Sequence, residues 1–271
     1  WRRAQSPLAV LVAWRAGVLR PDDLLSGAGE SGGQPRRFAV HGTGRMARAI
    51  AAAAANRSDI MISALVGPQA PDWDTNAHWY RRLEELTGRP ALLIDFTLPQ
   101  GTLAAANWCR VNRVPLLSGV TGLPAEAQDA LRQAASCVPV LWSPNLSLGV
   151  NLLADLARRA AAVLDPQTPV LIEDIHHQWK KDAPSGTALM LGAAIAEQRG
   201  GDERAIEYRS LREGAVIGEH TVRFSMAGES FDLAHRAQDR SIYALGALEA
   251  GAWLLGQPAG LYSARDWLAG R

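Results

Sequence analysis

The sequence predicts an α/β chain: an N-terminal open parallel sheet with helices on both faces, then a second domain on a mixed β-sheet. Three observations carry this. Short apolar runs alternate with Ala-rich helical runs between residues 37 and 142, which is the pattern of β-α units. Each apolar run ends in a polar, Gly-bearing turn, and ligands of such sheets bind at the carboxyl ends of the strands. Residues 206–237 then alternate polar and apolar without intervening helices, as strands of a mixed or antiparallel sheet do.

Phe38–Ala47 reads as a strand, a glycine turn and a helix start. Gly42, Thr43, Gly44, Arg45 and Met46 form the turn, and Ala47 stands where G-x-G-x-x-G/A accepts alanine. Glycines there let backbone approach a pyrophosphate at the helix N-terminus. The layout is Rossmann-type, although a lone Gly-x-Gly is a weak signal. Ile60–Val66 is the second strand. The acid that bonds ribose hydroxyls in NAD-selective turns is missing, since Gly67-Pro68-Gln69 follow. NADP is then somewhat favoured over NAD, but no Arg or Lys sits in that turn either, and Arg81 and Arg82 are candidates only if the following loop folds back. Ala91–Phe96 is expected as the third strand, ending in Asp95-Phe96-Thr97. Gly101–Val111 is the next helix. Val114–Ser118 is the fourth strand, before Gly119, Val120 and Thr121. Pro124–Ser136 is helical, and Val138–Trp142 is the fifth strand, before Ser143, Pro144, Asn145 and Leu146. Asn151–Leu164 is a long apolar helix, and Val170–His177 a strand.

That last strand delivers the densest chemistry of the chain, the run from Glu173 to Leu189. It holds His176, His177, Lys180 and Lys181, then Pro184-Ser185-Gly186-Thr187 ahead of an apolar helix over 188–197. Ser185 or Thr187 can cap that helix. Its free N–H groups and the lysines suit a carboxylate or phosphate, and a histidine beside them can move a proton. A His-His pair alone is more often a hydrogen-bonded surface feature. In an extended chain His176 and Lys180 share a face and His177 points away, whereas a turn before Lys180 alters this, so the sequence does not fix their relative placement. His78, His220 and His235 read as structural or surface residues, Arg240 as a partner for a carboxylate, and most tryptophans as packing groups.

Composition narrows the function. Hydrophobic content of 48%, charged content of 20% and a net charge of +1 fit a globular protein and argue against non-specific nucleic-acid binding. Cys109 and Cys137 lack metal or disulfide spacing, so no metal site is indicated and a reducing, cytoplasmic setting is expected. No apolar run approaches a membrane span. Residues 1–36 read as a poorly ordered extension and linker. Leu8–Val12 has the apolarity of a signal peptide's core, but Arg15 and Arg20 follow it without a small-residue cleavage site.

The run His-His-x-x-Lys-x-Asp-Ala-Pro-Ser-Gly-Thr-Ala (176–188) resembles the signature of the dihydrodipicolinate reductase family. Gly-x-Gly-Arg-Met (42–46), Asp-Phe-Thr (95–97), Gly-x-Thr-Gly (119–122), Ser-Pro-Asn-x-Ser-x-Gly-Val-Asn (143–151), the run 212–222 and Gly-Leu-Tyr (260–262) extend the resemblance over about residues 37–270. The family's first turn is usually one residue longer and ends in glycine rather than Ala47, and the segment 67–89 looks remodelled.

The resemblance implies hydride transfer from NADH or NADPH to a cyclic unsaturated imine dicarboxylate, in lysine and diaminopimelate biosynthesis. It implies a dinucleotide-binding domain of residues 37–147 and 241–271, and a substrate-binding and oligomerisation domain of 148–240, assembled as a homotetramer. His176 becomes the general acid, with Lys180 assisting and binding a carboxylate. His177, Ser185, Gly186 and Thr187 hold substrate. The turns at 42–46, 96–97, 119–121 and 143–146 hold the cofactor. A non-catalytic paralogue that binds a ligand or partner is the alternative that the shortened turn raises. An oxidoreductase on a related imine or amino acid is a third reading.

Overall fold

The computed structural model describes residues 34–201 and 204–271. The expected extension over 1–36 lies outside them, apart from residues 34–36. In chain order the elements are β1 (Arg36–His41), α1 (Arg45–Ala54), β2 (Ile60–Val66), β3 (His78–Tyr80), β4 (Leu92–Asp95), α2 (Pro99–Asn112) and β5 (Leu116–Ser118). Then come α3 (Ala125–Ala135), β6 (Pro139–Trp142), α4 (Leu148–Val163), β7 (Val170–His176), α5 (Gly186–Gln198) and β8 (Ile206–Arg212). The chain closes with β9 (Gly218–Met226), β10 (Glu229–Ala237), α6 (Ser241–Leu254), β11 (Gly260–Tyr262) and α7 (Ala264–Ala269).

The first sheet has the order β11-β6-β5-β4-β1-β2-β3, with every pair parallel. Its strands are apolar on both faces because both are covered. Phe38, Val40, Leu92 and Ile94 pack under α1 and α6, with Ala47, Ile50, Ala247 and Leu248. Their neighbours Ala39 and Leu93 face α2 and α3, with Ala105, Cys109, Ala127 and Leu131. Strand order reverses between β1 and β4, so the crevice of the sheet opens where His41 and Asp95 end their strands.

One expectation fails here. The β-α alternation is not regular, because no α-helix joins β2 to β4. The connection instead adds the edge strand β3, which pairs with Ala64–Val66, and one helical turn at Leu83–Glu85. A three-residue strand of His, Trp and Tyr is too short for a period to show in sequence. Leu92–Asp95 is accordingly the fourth strand and shorter than the expected Ala91–Phe96.

The second sheet has the order β10-β9-β7-β8. β7 pairs parallel with β8 across the α5 crossover and antiparallel with β9; β9 and β10 form an antiparallel hairpin. The sheet is therefore mixed, as expected. One face buries Val170, Ile172, Val222 and Phe224 against Leu153, Ala157, Leu191 and Ile195 of α4 and α5. β10 is half-buried at best along its whole length, with Phe231 exposed. After β10 the chain returns: α6 joins the core under the first sheet, and β11 becomes its outer strand beside β6.

Candidate active site

Alternation along β7 buries Val170, Ile172, Asp174 and His176 on one face. Asp174 is wholly buried and His176 nearly so. A buried carboxylate needs donors to replace water, and Asp174 has four. His176 Nδ1 lies 2.9 Å from Oδ1, and Arg212 Nη1 donates to the same oxygen at 2.9 Å. Oδ2 accepts from Ser210 Oγ at 2.6 Å and from the Ser185 N–H at 3.3 Å. Burial pushes the Asp174 carboxyl upward, and its hydrogen bonds from Ser210, Ser185, Arg212 and His176 outweigh that and hold it below the ordinary range. His176 sits below its ordinary value, first through burial, with Lys180 and Arg212 adding to it and Asp174 opposing. His220 packs edge-on against His176, with ring centroids 5.1 Å apart. Burial, and then the proximity of His176, pushes His220 down to about 4. It is no surface residue: its Nε2 lies 3.3 Å from Ser185 Oγ.

The relative placement of His176, His177 and Lys180, which the sequence leaves open, is decided by a turn. The strand ends at His176, and the Lys180 N–H closes a turn on the His177 carbonyl at 3.1 Å. His177 and Lys180 therefore line the same cleft as His176. Lys180 is paired within its own loop, donating to both Asp182 oxygens at 2.8 and 2.7 Å. Of the two capping candidates, Ser185 does the work, accepting the Ala188 N–H at 3.1 Å. Thr187 Oγ1 instead accepts from Asn145 Nδ2 at 3.2 Å, which ties the start of α5 to the turn after β6.

That bond joins the strand ends of the two sheets, and a cleft of 1140 Å³ opens there. Of the residues singled out from sequence, Arg45, Met46, Thr121, Pro144 and Asn145 line it from the first sheet's side. His176, His177, Lys180, Ser185, Gly186 and Thr187 line it from the other. Arg240, expected only as a partner for a carboxylate, also lines it.

The other candidates shape the turns without lining the cleft. Gly42 has φ +121 and lies against the Phe96 carbonyl, where an added Cβ would come within 3.2 Å. Gly44 begins α1 without any side-chain cap. The Thr43 carbonyl accepts from Trp73 Nε1 at 3.0 Å. Phe96 packs its ring over Gly119, and Thr97 donates to Asp95 at 2.6 Å. Val120 and Leu146 are buried, and the Val120 carbonyl accepts from Trp142 Nε1 at 2.9 Å. Ser143 donates to the Asn145 carbonyl at 2.6 Å. The segment 67–89 closes on itself, with Gly67 N–H bonded to the Tyr80 carbonyl and Trp79 Nε1 to the Gly67 carbonyl, and Trp73 ties it to the glycine turn. Arg82 pairs with Glu85.

Asp174, Ser210 and Arg212 were missed as a unit. The Asp-x-His spacing on a strand, which puts both side chains on one face, could have flagged the first. Ser210 and Arg212 reach it only through the β7–β8 register, which pairs them with Asp174 and His176.

Comparison with known proteins agrees over this span. Residues 36–146 match the family model described as dihydrodipicolinate reductase, N-terminus, and 149–268 the one described as dihydrodipicolinate reductase, C-terminus. The chain is 43% identical over 231 residues to a 4-hydroxy-tetrahydrodipicolinate reductase of Xanthomonas euvesicatoria pv. vesicatoria, covering 84% of this chain and 95% of that one. It is 41% identical to the enzyme of that name from Stenotrophomonas maltophilia, covering 86% and 98%. In fold it is similar to a dipicolinate-bound dihydrodipicolinate reductase from Paenisporosarcina sp. TG-14, with TM-score 0.76 and 24% identity over 85% of this chain and 98% of that one. A chain that matches both halves of this family, and carries its signature run at the mouth of the shared cleft, belongs to the dihydrodipicolinate reductase family.

Proposed function

We propose that the chain reduces dihydrodipicolinate, formed from 4-hydroxy-tetrahydrodipicolinate, to tetrahydrodipicolinate with NADH or NADPH. One observation carries this reading: a buried histidine, a lysine and a helix N-terminus line the same cleft as Arg45 and Met46, the first residues of the helix that follows the glycine turn. The turn fits a nucleotide on its own terms. Gly42 brings backbone close to the Phe96 carbonyl at a φ that favours glycine. The start of α1 has neither a side-chain cap nor an acidic residue in its first turn, so its N–H groups are free for an anion. The bound nucleotide supplies the hydride.

The chain's own residues supply the rest. His176 delivers a proton from Nε2. Lys180 exchanges Asp182 for a substrate carboxylate, while His177, Ser185 and the N–H groups of Gly186 and Thr187 cradle the dicarboxylate. Residues 42–46, 96–97, 119–121 and 143–146 hold the nucleotide. Residues 37–147 and 241–271 act as the dinucleotide domain, and 148–240 as the substrate domain. With no carboxylate at the end of β2, nothing there repels a 2′-phosphate, and Arg45 stands at the cleft; both nucleotides are accepted. The exposed outer strand β10 supports assembly of a tetramer through the second sheet, and the biosynthetic role supports a cytoplasmic location. Retention of acid, lysine and helix start together disfavours a non-catalytic paralogue.

The test is nucleotide oxidation by purified protein with substrate generated in situ. Lys180→Met is expected to raise KM roughly 30-fold, the loss of one hydrogen bond to a charged group, with a smaller change in kcat. Absence of turnover with either nucleotide would remove the reading.

A further inference from the structure

We infer that Asp174 is a positioning residue for His176, fixing its tautomer and ring plane so that Nε2 alone faces the substrate, and that Gly218 keeps that nitrogen uncovered. The inference deepens the proposed reduction and rests on it for the identity of the acid. An ionised carboxylate only accepts hydrogen bonds. Asp174 Oδ1, 2.9 Å from His176 Nδ1, therefore requires a proton on Nδ1. Nε2 becomes the nitrogen that gains and loses the proton. Arg212 and Ser210 hold the carboxylate from β8, and the Ser185 N–H holds it from the head of α5. Neither Asp174 oxygen can turn away from the ring without leaving a buried donor unpaired.

The far side of the ring is equally built. An added Cβ at Gly218 would come within 3.2 Å of His176 Nε2 and 3.4 Å of its Cδ2. Gly218 opens β9 without a positive φ, so what glycine provides there is room. The charged and titratable groups around the imidazole are Asp174 on β7, Arg212 on β8, His220 on β9 and Lys180 on the turn. Asp174 is the one anion among them. In the step itself the Nε2–H bond breaks, the proton passes to the substrate, and its electron pair stays on the imidazole. The ring is left neutral with Nδ1–H still donated to Asp174, and one proton taken up from solvent restores the Nε2–H, so each hydride transferred consumes one solvent proton.

Arg212 also donates to the Asp182 carbonyl, within the loop whose Asp182 carboxylate holds Lys180. One guanidinium thus steadies both the acid and the loop that carries the substrate's cation. A carboxylate that only packed under the strand would not need this link.

The experiment compares Asp174→Asn, Asp174→Glu and Gly218→Ala with the wild type. Readouts are steady-state kinetics across pH and ¹⁵N NMR of the histidine rings. Asp174→Asn is expected to lower kcat at neutral pH roughly 100-fold, within the range of a general acid's contribution, with KM nearly unchanged. The alkaline fall of kcat should move to lower pH by about one unit, because the anion that favours the charged ring is gone. Asp174→Glu keeps the carboxylate and should recover most of the loss. Gly218→Ala should lower kcat while His176 keeps its Nδ1–H tautomer. An unchanged tautomer in Asp174→Asn would overturn the inference. So would a loss equal at every pH, shared by KM and unrescued by glutamate, since that marks a structural role. A wild type with Nδ1–H on His176 but no turnover would remove the reductase reading and leave the positioning pair in place.

Discussion

Asp95 and Asp174 invite comparison. Each is a wholly buried carboxylate near the carboxyl end of a sheet strand, and each has a histidine beside it. His41 Nδ1 is 3.4 Å from Asp95 Oδ1, and His176 Nδ1 is 2.9 Å from Asp174 Oδ1. Both are held below the ordinary carboxylate range against the effect of burial. Their other partners differ. Asp95 collects hydroxyls: Thr97 at 2.6 Å, Thr102 at 2.6 Å and Ser118 at 3.0 Å. It thereby pins the ends of β1, β4 and β5 and the start of α2 to one point. Asp174 is held by a guanidinium, and its histidine reaches the cleft. The same pair of residue types sits inside the fold at Asp95 and at the cleft at Asp174, where His176 is among the lining residues and His41 is not.

The sharpest way to break that contrast is to remove the histidines. His176→Ala is expected to lower kcat roughly 1000-fold with little change in KM, the scale of a lost general acid. His41→Gln should leave kcat near that of the wild type. Equal losses in nucleotide-oxidation assays would erase the distinction. Removing the first carboxylate tests the pinning of the strand ends. Asp95→Ala strands two buried hydroxyls and the half-buried Thr97 hydroxyl, and should cost about 3 kcal/mol in urea unfolding. Its kcat at saturating nucleotide should fall far less than that of His176→Ala.

The smallest effect lies beside the second pair. His220 is pushed down to about 4, below its value in the unfolded chain, so the fold prefers its neutral form. The stability this gives is present above the unfolded value near 6.5 and is lost as pH falls toward 4. His220→Gln should flatten that part of the stability curve by about 2 kcal/mol, read from urea midpoints at pH steps across the window. An unchanged slope would show that His220 is not the group being titrated.

Much of this arrangement was legible in the chain. The strand-end turns, the change of strand pattern after residue 200, and the His-His run before Pro-Ser-Gly-Thr are local patterns, and local patterns survive reading one residue at a time. Less legible was the stretch 67–89. Its three-residue edge strand carries no period, and Trp73 and Trp79 act through indole N–H bonds to Thr43 and Gly67 that nothing in their spacing announces. The placement of His177 and Lys180 stayed open for a related reason. It depends on whether the chain runs extended past His176 or turns, and it turns there, with the Lys180 N–H on the His177 carbonyl.

By itself, the sequence determined the strands and helices outside the stretch 67–91, the glycine turn and the helix start at Ser185. Each is set by neighbours a few residues away, through dihedral preference, capping and side-chain period. Tertiary structure alone decided which carboxylate meets which histidine. Arg212 lies 38 residues from Asp174 and reaches it because two parallel strands chose one register, and Thr187 meets Asn145 because two sheets closed over one cleft. A buried carboxylate is tolerable only when distant donors converge on it, and convergence is a property of the packed chain.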